Sequence, residues 1–175
     1  MSAGAAQRPV RRDYASLLAA VRARSATCGA ERTQQAVLEL GFGNGRLLSA
    51  VAARAAHGFV AGVEPDGVAL RHAHRRCERL LRAGRVALLP GESLDLSAFA
   101  AAAFDKVYGV HVTYFWEDPL PHLREIRRVL RPGGRLVLGR AVREPGPPLE
   151  AGLAAAGFRE VRSDGAERLA FVVAA

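Results

Sequence analysis

The segment Val37-Leu38-Glu39-Leu40-Gly41-Phe42-Gly43-Asn44-Gly45-Arg46-Leu47 constrains this chain more than any other. An apolar run of strand length meets three glycines at alternate positions, and a helix-compatible run follows. Glycine takes positive φ without strain and lets other groups approach the backbone closely. A strand, a glycine turn and a helix in succession form a ligand site at the carboxyl edge of an open α/β sheet. The competing reading is a glycine turn with no ligand, although loops this tight usually have a functional reason.

The rest of the chain supplies the matching alternation. Strands are expected over 37–40, 59–63 (ending at Glu64), 86–89, 104–110 and 135–138. Between them, helices are expected over 46–56, 67–81 and 119–130. Asp66 can cap the second of these. Leu120, Leu123, Ile126 and Leu130 form the buried stripe of the third, with Arg124, Arg127, Arg128 and Arg131 lying away from it. Pro132-Gly133-Gly134 stops that helix in a tight turn. Near the start, Tyr14, Leu17, Leu18 and Val21 give a short amphipathic helix over 13–24, after a disordered stretch over 1–12. Near the end, a rigid Pro145-Gly146-Pro147-Pro148 linker leads to a helix over 149–156 with Gly157 as its C-terminal cap. Two closing strands, 158–162 and 169–173, flank a turn at Asp164-Gly165. Alternating strands and helices predict a parallel sheet covered on both faces. Two strands joined by a short turn must be antiparallel. No boundary divides the chain, so 13–175 reads as one domain.

The ligand can be narrowed by charge. The dinucleotide fingerprint is G-x-G-x-x-G, but here its third glycine position holds Arg46 and the third glycine comes early, at Gly45. Glu39 would repel a pyrophosphate and suits a ligand with an ammonium group. The pattern E-x-G-x-G-x-G resembles the first motif of class I S-adenosylmethionine-dependent methyltransferases, whose cofactor carries an amino group and a sulfonium and no phosphate. Val60-Ala61-Gly62-Val63-Glu64-Pro65-Asp66 resembles that family's second element, where an acid closing strand two holds both ribose hydroxyls. Pro90-Gly91-Glu92-Ser93 matches the place of an acid that accepts from the adenine amino group, with a backbone amide beside it. Phe104-Asp105-Lys106-Val107 and the block from Leu123 to Leu138 resemble the fourth strand and the Pro-Gly-Gly block. The resemblance covers about Ala36 to Val173. It implies a seven-stranded, mostly parallel sheet with helices on both faces and an antiparallel last strand. It also implies S-adenosyl-L-methionine as cofactor, held by Glu39, Gly41, Gly43, Gly45, Glu64, Glu92 and Ser93.

In the same family the groups facing the methyl follow strand four, here His111 and then Val112-Thr113-Tyr114-Phe115-Trp116. Imidazoles generally titrate near pH 6.5, so His111 can take a proton from a hydroxyl or amine. It can equally pack or cap the next helix, and both readings stand. Tyr114, Phe115 and Trp116 either wall an apolar acceptor pocket or belong to the core. His57, His72, His74 and His122 read as structural. The strand lacks the Asn/Asp-Pro-Pro-Tyr/Phe pattern of enzymes that methylate DNA bases or amide nitrogens. It also lacks the aspartate pair of a magnesium-dependent catechol-type enzyme, so no metal is expected. An acceptor site built from the N-terminal helix, the segment after strand four and the region of Arg140–Arg143 suits a small molecule.

Charge offers an alternative. The chain of 175 residues carries a formal +8, nearly all from arginine, with Lys106 the only lysine. Arg71, Arg75, Arg79 and Arg82 share one helical face, read either as a solvated face or as an RNA footprint. An RNA methyltransferase, or a cofactor-binding protein of this fold without transferase activity, is therefore the alternative to a small-molecule enzyme. Few aromatics are available as stacking platforms for single-stranded RNA. There is no apolar run of membrane-spanning length, and the start has no apolar signal core. Cys28 and Cys77 fit no metal spacing and read as reduced thiols, which points to the cytoplasm.

Overall fold

The computed structural model describes residues 35–55, 57–141, 148–166 and 169–174. The expected disorder over 1–12, the helix over 13–24, Cys28, Arg143 and most of the 145–148 linker lie outside the described residues.

Strands β1 (Ala36–Leu40), β2 (Phe59–Glu64), β3 (Val86–Pro90), β4 (Phe104–Val110), β5 (Leu130–Ala141), β6 (Arg162–Ala166) and β7 (Leu169–Ala174) form one sheet in the order β3-β2-β1-β4-β5-β7-β6. Pairings from β3 through β5 are parallel. Strand β7 is antiparallel to both β5 and β6. Among the described residues four helices connect the strands: α1 (Arg46–Arg54), α2 (Gly67–Arg82), α3 (Pro119–Val129) and α4 (Glu150–Ala155).

Side-chain alternation along β1 assigns the two faces. Val37 packs with Leu47, Leu48, Ala52, Ala73 and Cys77, which belong to α1 and α2. Leu38 and Leu40 pack with Leu123, Ile126, Val129 and Leu153, which belong to α3 and α4. Each fully buried leucine contributes about 1.5–3 kcal/mol relative to exposure. The strand order reverses between β1 and β4, because connections leave β1 in one direction and return past it to β4. Ligands of open α/β sheets sit at the carboxyl edge of that switch point.

Two expectations are corrected. The first closing strand runs over Arg162–Ala166 rather than 158–162, and Asp164 and Gly165 pair with Phe171 and Ala170 within the hairpin instead of forming its turn. Phe158 is buried against α3 and α4 instead, so apolar character there reflects packing below the sheet edge. The fifth strand begins at Leu130, directly after α3. Its register against β4 jumps from Phe104↔Leu130 to Lys106↔Arg135, so the Pro-Gly-Gly turn is a bulge inside the strand. Arg128 and Arg131, which lie away from the buried stripe, are both engaged. Arg128 donates to Phe99 O (3.0 Å), Leu96 O (2.9 Å) and the Glu125 carboxylate. Arg131 bridges Asp105 at 2.7 Å and donates to Ala102 O. Together they pin the β3–β4 connection to α3 and to the start of β5.

Candidate active site

The turn after β1 puts Gly41, Gly43 and Gly45 all at positive φ (62°, 55° and 74°). A side chain in that region costs roughly 1–2 kcal/mol. At Gly41 space forbids one as well, since a Cβ would stand 2.6 Å from Val112 Cγ1. Between the glycines Phe42 turns into the core of the α1/α2 face and anchors the loop. The Gly41 amide donates to Val63 O at 2.9 Å, and the Gly43 amide donates to Glu64 Oε2 at 2.7 Å. Glu64 Oε1 accepts from the Asp66 amide at 3.0 Å. Asp66 in turn caps α2, accepting from the Val68 and Ala69 amides, and these bonds hold its carboxyl below the ordinary carboxylate value.

Glu64 is buried at the carboxyl end of β2 and lines a cavity of about 540 Å³. That volume lies within the usual range of small-molecule sites, about 300–1,000 Å³. A carboxylate offers about four acceptor positions. Two of them meet backbone amides here, which leaves capacity for a pair of ligand hydroxyls. The cavity wall also includes Leu40 and Gly41 from the β1 end, Glu92 and Ser93 after β3, and Val110 and His111 at the β4 end. Val112, Tyr114, Phe115 and Trp116 complete a mostly aromatic side. Tyr114 and Phe115 have their ring centroids 4.4 Å apart, and Phe115 is 76% exposed.

His111 closes β4 in an unusual way. Its amide still donates to Gly139 O at 2.8 Å, but its φ is +59°. A left-handed non-glycine residue is strained, and such strain concentrates at ligand and catalytic sites. The turn carries the chain from the sheet edge into the short 3-10 segment Thr113–Phe115 that walls the cavity.

Three residues expected to hold the cofactor, Glu39, Gly43 and Gly45, are not among those that line the cavity. Glu39 does not line the cavity. Alternation along β1 points it into the α1/α2 face, where it is 4% exposed and accepts from the Tyr108 hydroxyl at 2.7 Å. Burial pushes its carboxyl up to about 8, the Tyr108 bond opposing and the charge of Glu64 assisting. Burial and the neighbouring Glu39 likewise raise the Tyr108 hydroxyl well above its ordinary value. In this arrangement Glu39 is a buried acid below the loop, bonded to Tyr108. Gly45 faces α2, where a Cβ would lie 2.9 Å from Ala73 Cβ and 3.2 Å from Ala73 Cα. It lets α1 start hard against α2 and does not reach the cavity. Gly43 acts through its amide on Glu64.

His122, read as merely structural, stands directly behind the site. Its Nδ1 shares a 2.9 Å hydrogen bond with Ser93 Oγ, and its ring stacks on Trp116 at 4.7 Å and 8°. Its partner Ser93 is 29 residues away, so no local pattern marks it. Among the described residues no cluster of His, Cys, Asp and Glu is placed to hold a metal ion. Nor, among them, is any helix long and apolar enough to cross a membrane.

Residues 38–138, more than half of the chain, match the family model described as a methyltransferase domain. The chain is 33% identical over 115 residues to the O-methyltransferase rstn1 of Aspergillus nomiae, covering 65% of this chain and 50% of that one. It is 36% identical over 105 residues to a tRNA U34 carboxymethyltransferase of Trichlorobacter lovleyi, covering 58% and 31%. The chain thus spans half or less of the length of these curated relatives. A solved S-adenosylmethionine-dependent methyltransferase from Aquifex aeolicus superposes with a TM-score of 0.73 at 21% identity, covering 90% of this chain and 88% of that one. A glycine loop at the switch point, an acid closing β2 and the family match over both lead to one conclusion: the chain belongs to the methyltransferase-domain family, with the Rossmann-like class I fold.

Proposed function

We propose that this chain binds S-adenosylmethionine in the switch-point cavity and methylates a small-molecule acceptor. The observation that carries this reading is Glu64, buried at the cavity wall with both oxygens braced by amides and acceptor capacity remaining. A ribose diol fits that capacity. The bare loop at Gly41 allows close approach of the amino-acid portion, while Glu92 and Ser93 receive the base end. The cofactor, when bound, supplies an electrophilic methyl on a sulfonium.

The chain's own residues then position, shield and move a proton. Methyl transfer needs the acceptor atom in line, and positioning contributes up to about 7–11 kcal/mol in well-oriented model reactions. Val112, Tyr114 and Phe115 form the acceptor wall and keep water from the reacting atoms. His111, held at the β4 end, takes the acceptor's proton where the accepting group is a hydroxyl or amine. Arg140, on β5, does not line the cavity, so it has no part in this reading. A labelled-methyl transfer assay against a metabolite extract tests the proposal: label must appear in a small molecule, and must fall sharply at limiting S-adenosylmethionine when Glu64 is replaced by alanine.

RNA as acceptor is the second reading. Arg71, Arg75, Arg79 and Arg82 are exposed along α2, although Arg82 pairs with Glu78. Some relatives are named for tRNA modification. Binding to RNA with a steep salt dependence, and label transferred to RNA in place of metabolites, would favour it.

A further inference from the structure

We infer that His122 is a positioning residue for the cofactor cavity, fixing the wall made by Glu92, Ser93 and Trp116. The inference rests on the cofactor reading above and adds to it a residue that does not itself line the cavity.

Glu92 and Ser93 sit in the loop after β3, and Trp116 in the segment after β4. Loops at a sheet edge are the less stable parts of a fold, and a pocket that must be ordered on binding loses affinity. Both segments meet one rigid element, α3, through His122. The imidazole holds Ser93 through its 2.9 Å hydrogen bond and lies parallel to the Trp116 indole. Ser93 and Trp116 are both buried, so neither bond partner is exchanged freely with water. The carboxylates facing the ring are Glu92, from the β3 loop, and Asp118, at the start of α3. Both favour its charged form, but burial outweighs them and keeps its pKa below the ordinary histidine value. The resting ring is therefore neutral near pH 7. A neutral ring carries one donor and one acceptor nitrogen, and either role is compatible with the bond to the Ser93 hydroxyl.

Trp116 is the only tryptophan in the chain, so its emission reports on this contact. In the unliganded protein, acidification charges the stacked imidazole and quenches the indole. The emission should fall with a midpoint below about 6.5, the ordinary histidine value, and the step should be absent in His122→Phe and His122→Asn. S-adenosylhomocysteine is then titrated by the same emission. His122→Phe keeps a stacked ring and loses the hydrogen bond, and should bind roughly tenfold more weakly. His122→Asn places a hydrogen-bonding group near the former Nδ1 and should recover most of that loss. In turnover the penalty should appear in KM for S-adenosylmethionine more than in kcat. Circular dichroism and thermal melting confirm that each variant is folded. Wild-type affinity in folded His122→Phe overturns the inference and leaves the cofactor reading intact. Absence of binding in the wild type overturns both.

Discussion

Glu39→Gln should remove a pH dependence that the fold imposes on its own stability. Glu39 is buried beneath the glycine loop, and its carboxyl rises from an ordinary 4.5 to about 8. Between those values the folded protein holds a proton that the unfolded chain releases. Stability from this group is thus fully present below about pH 4.5 and is lost as pH rises through 8. At about 1.4 kcal/mol per pH unit the whole interval sets a ceiling near 5 kcal/mol. The part between pH 5.5 and 8 amounts to about 3 kcal/mol. Glutamine keeps an oxygen to accept from the Tyr108 hydroxyl but does not titrate. Urea unfolding of both proteins at several pH values isolates the effect, because groups remote from Glu39 titrate alike in the two and cancel. Wild type should lose about 3 kcal/mol more than Glu39→Gln across that range. Parallel stability curves would show that Glu39 is not buried as a proton-holding acid, and the placement of β1 under the loop would need revision.

Three further outcomes follow from the site. Glu64→Ala should bind S-adenosylhomocysteine about 10–100-fold more weakly, since a charged hydrogen-bond partner contributes about 1.5–3 kcal/mol; unchanged affinity by calorimetry removes the ribose role. Gly45→Ala should lower stability by about 2–4 kcal/mol, from a left-handed alanine plus a clash with the α2 backbone; a melting temperature equal to wild type contradicts the packing assigned to it. His111→Gly should be more stable than His111→Ala by up to about 1 kcal/mol, because glycine relieves the positive φ. Both should lose at least about 100-fold in turnover on a protic acceptor if His111 moves a proton. Full turnover in either withdraws that role.

The coarse fold was legible because each signal was local. Alternating apolar residues, Asp66 before a helix and Pro119 opening another are read from a few neighbours in sequence. The cavity-lining role of Gly41, Glu64, Glu92, Ser93 and His111 was legible through motif spacing, since strand ends converge on one sheet edge. What local reading missed depends on faces and distant partners. Glu39 shares a motif with Gly41, yet it lies inside β1, buried on the α1/α2 face against a Tyr108 that lies 69 residues on. Gly45 looked like a ligand glycine, but it meets Ala73 on a helix that arrives later. His122 carried no mark because Ser93 and Trp116 come to it only once β3, β4 and α3 are assembled. The left-handed turn at His111 was nearly invisible, since histidine's enrichment at positive φ is too weak a sign to mark one position.

Calorimetric titration of the folded protein with S-adenosylhomocysteine, with a nicotinamide dinucleotide as control, tests the central claim most directly. The account predicts saturable binding of one nucleoside thioether per chain and no heat from the dinucleotide. A silent titration with the thioether, or preference for the dinucleotide, would contradict it.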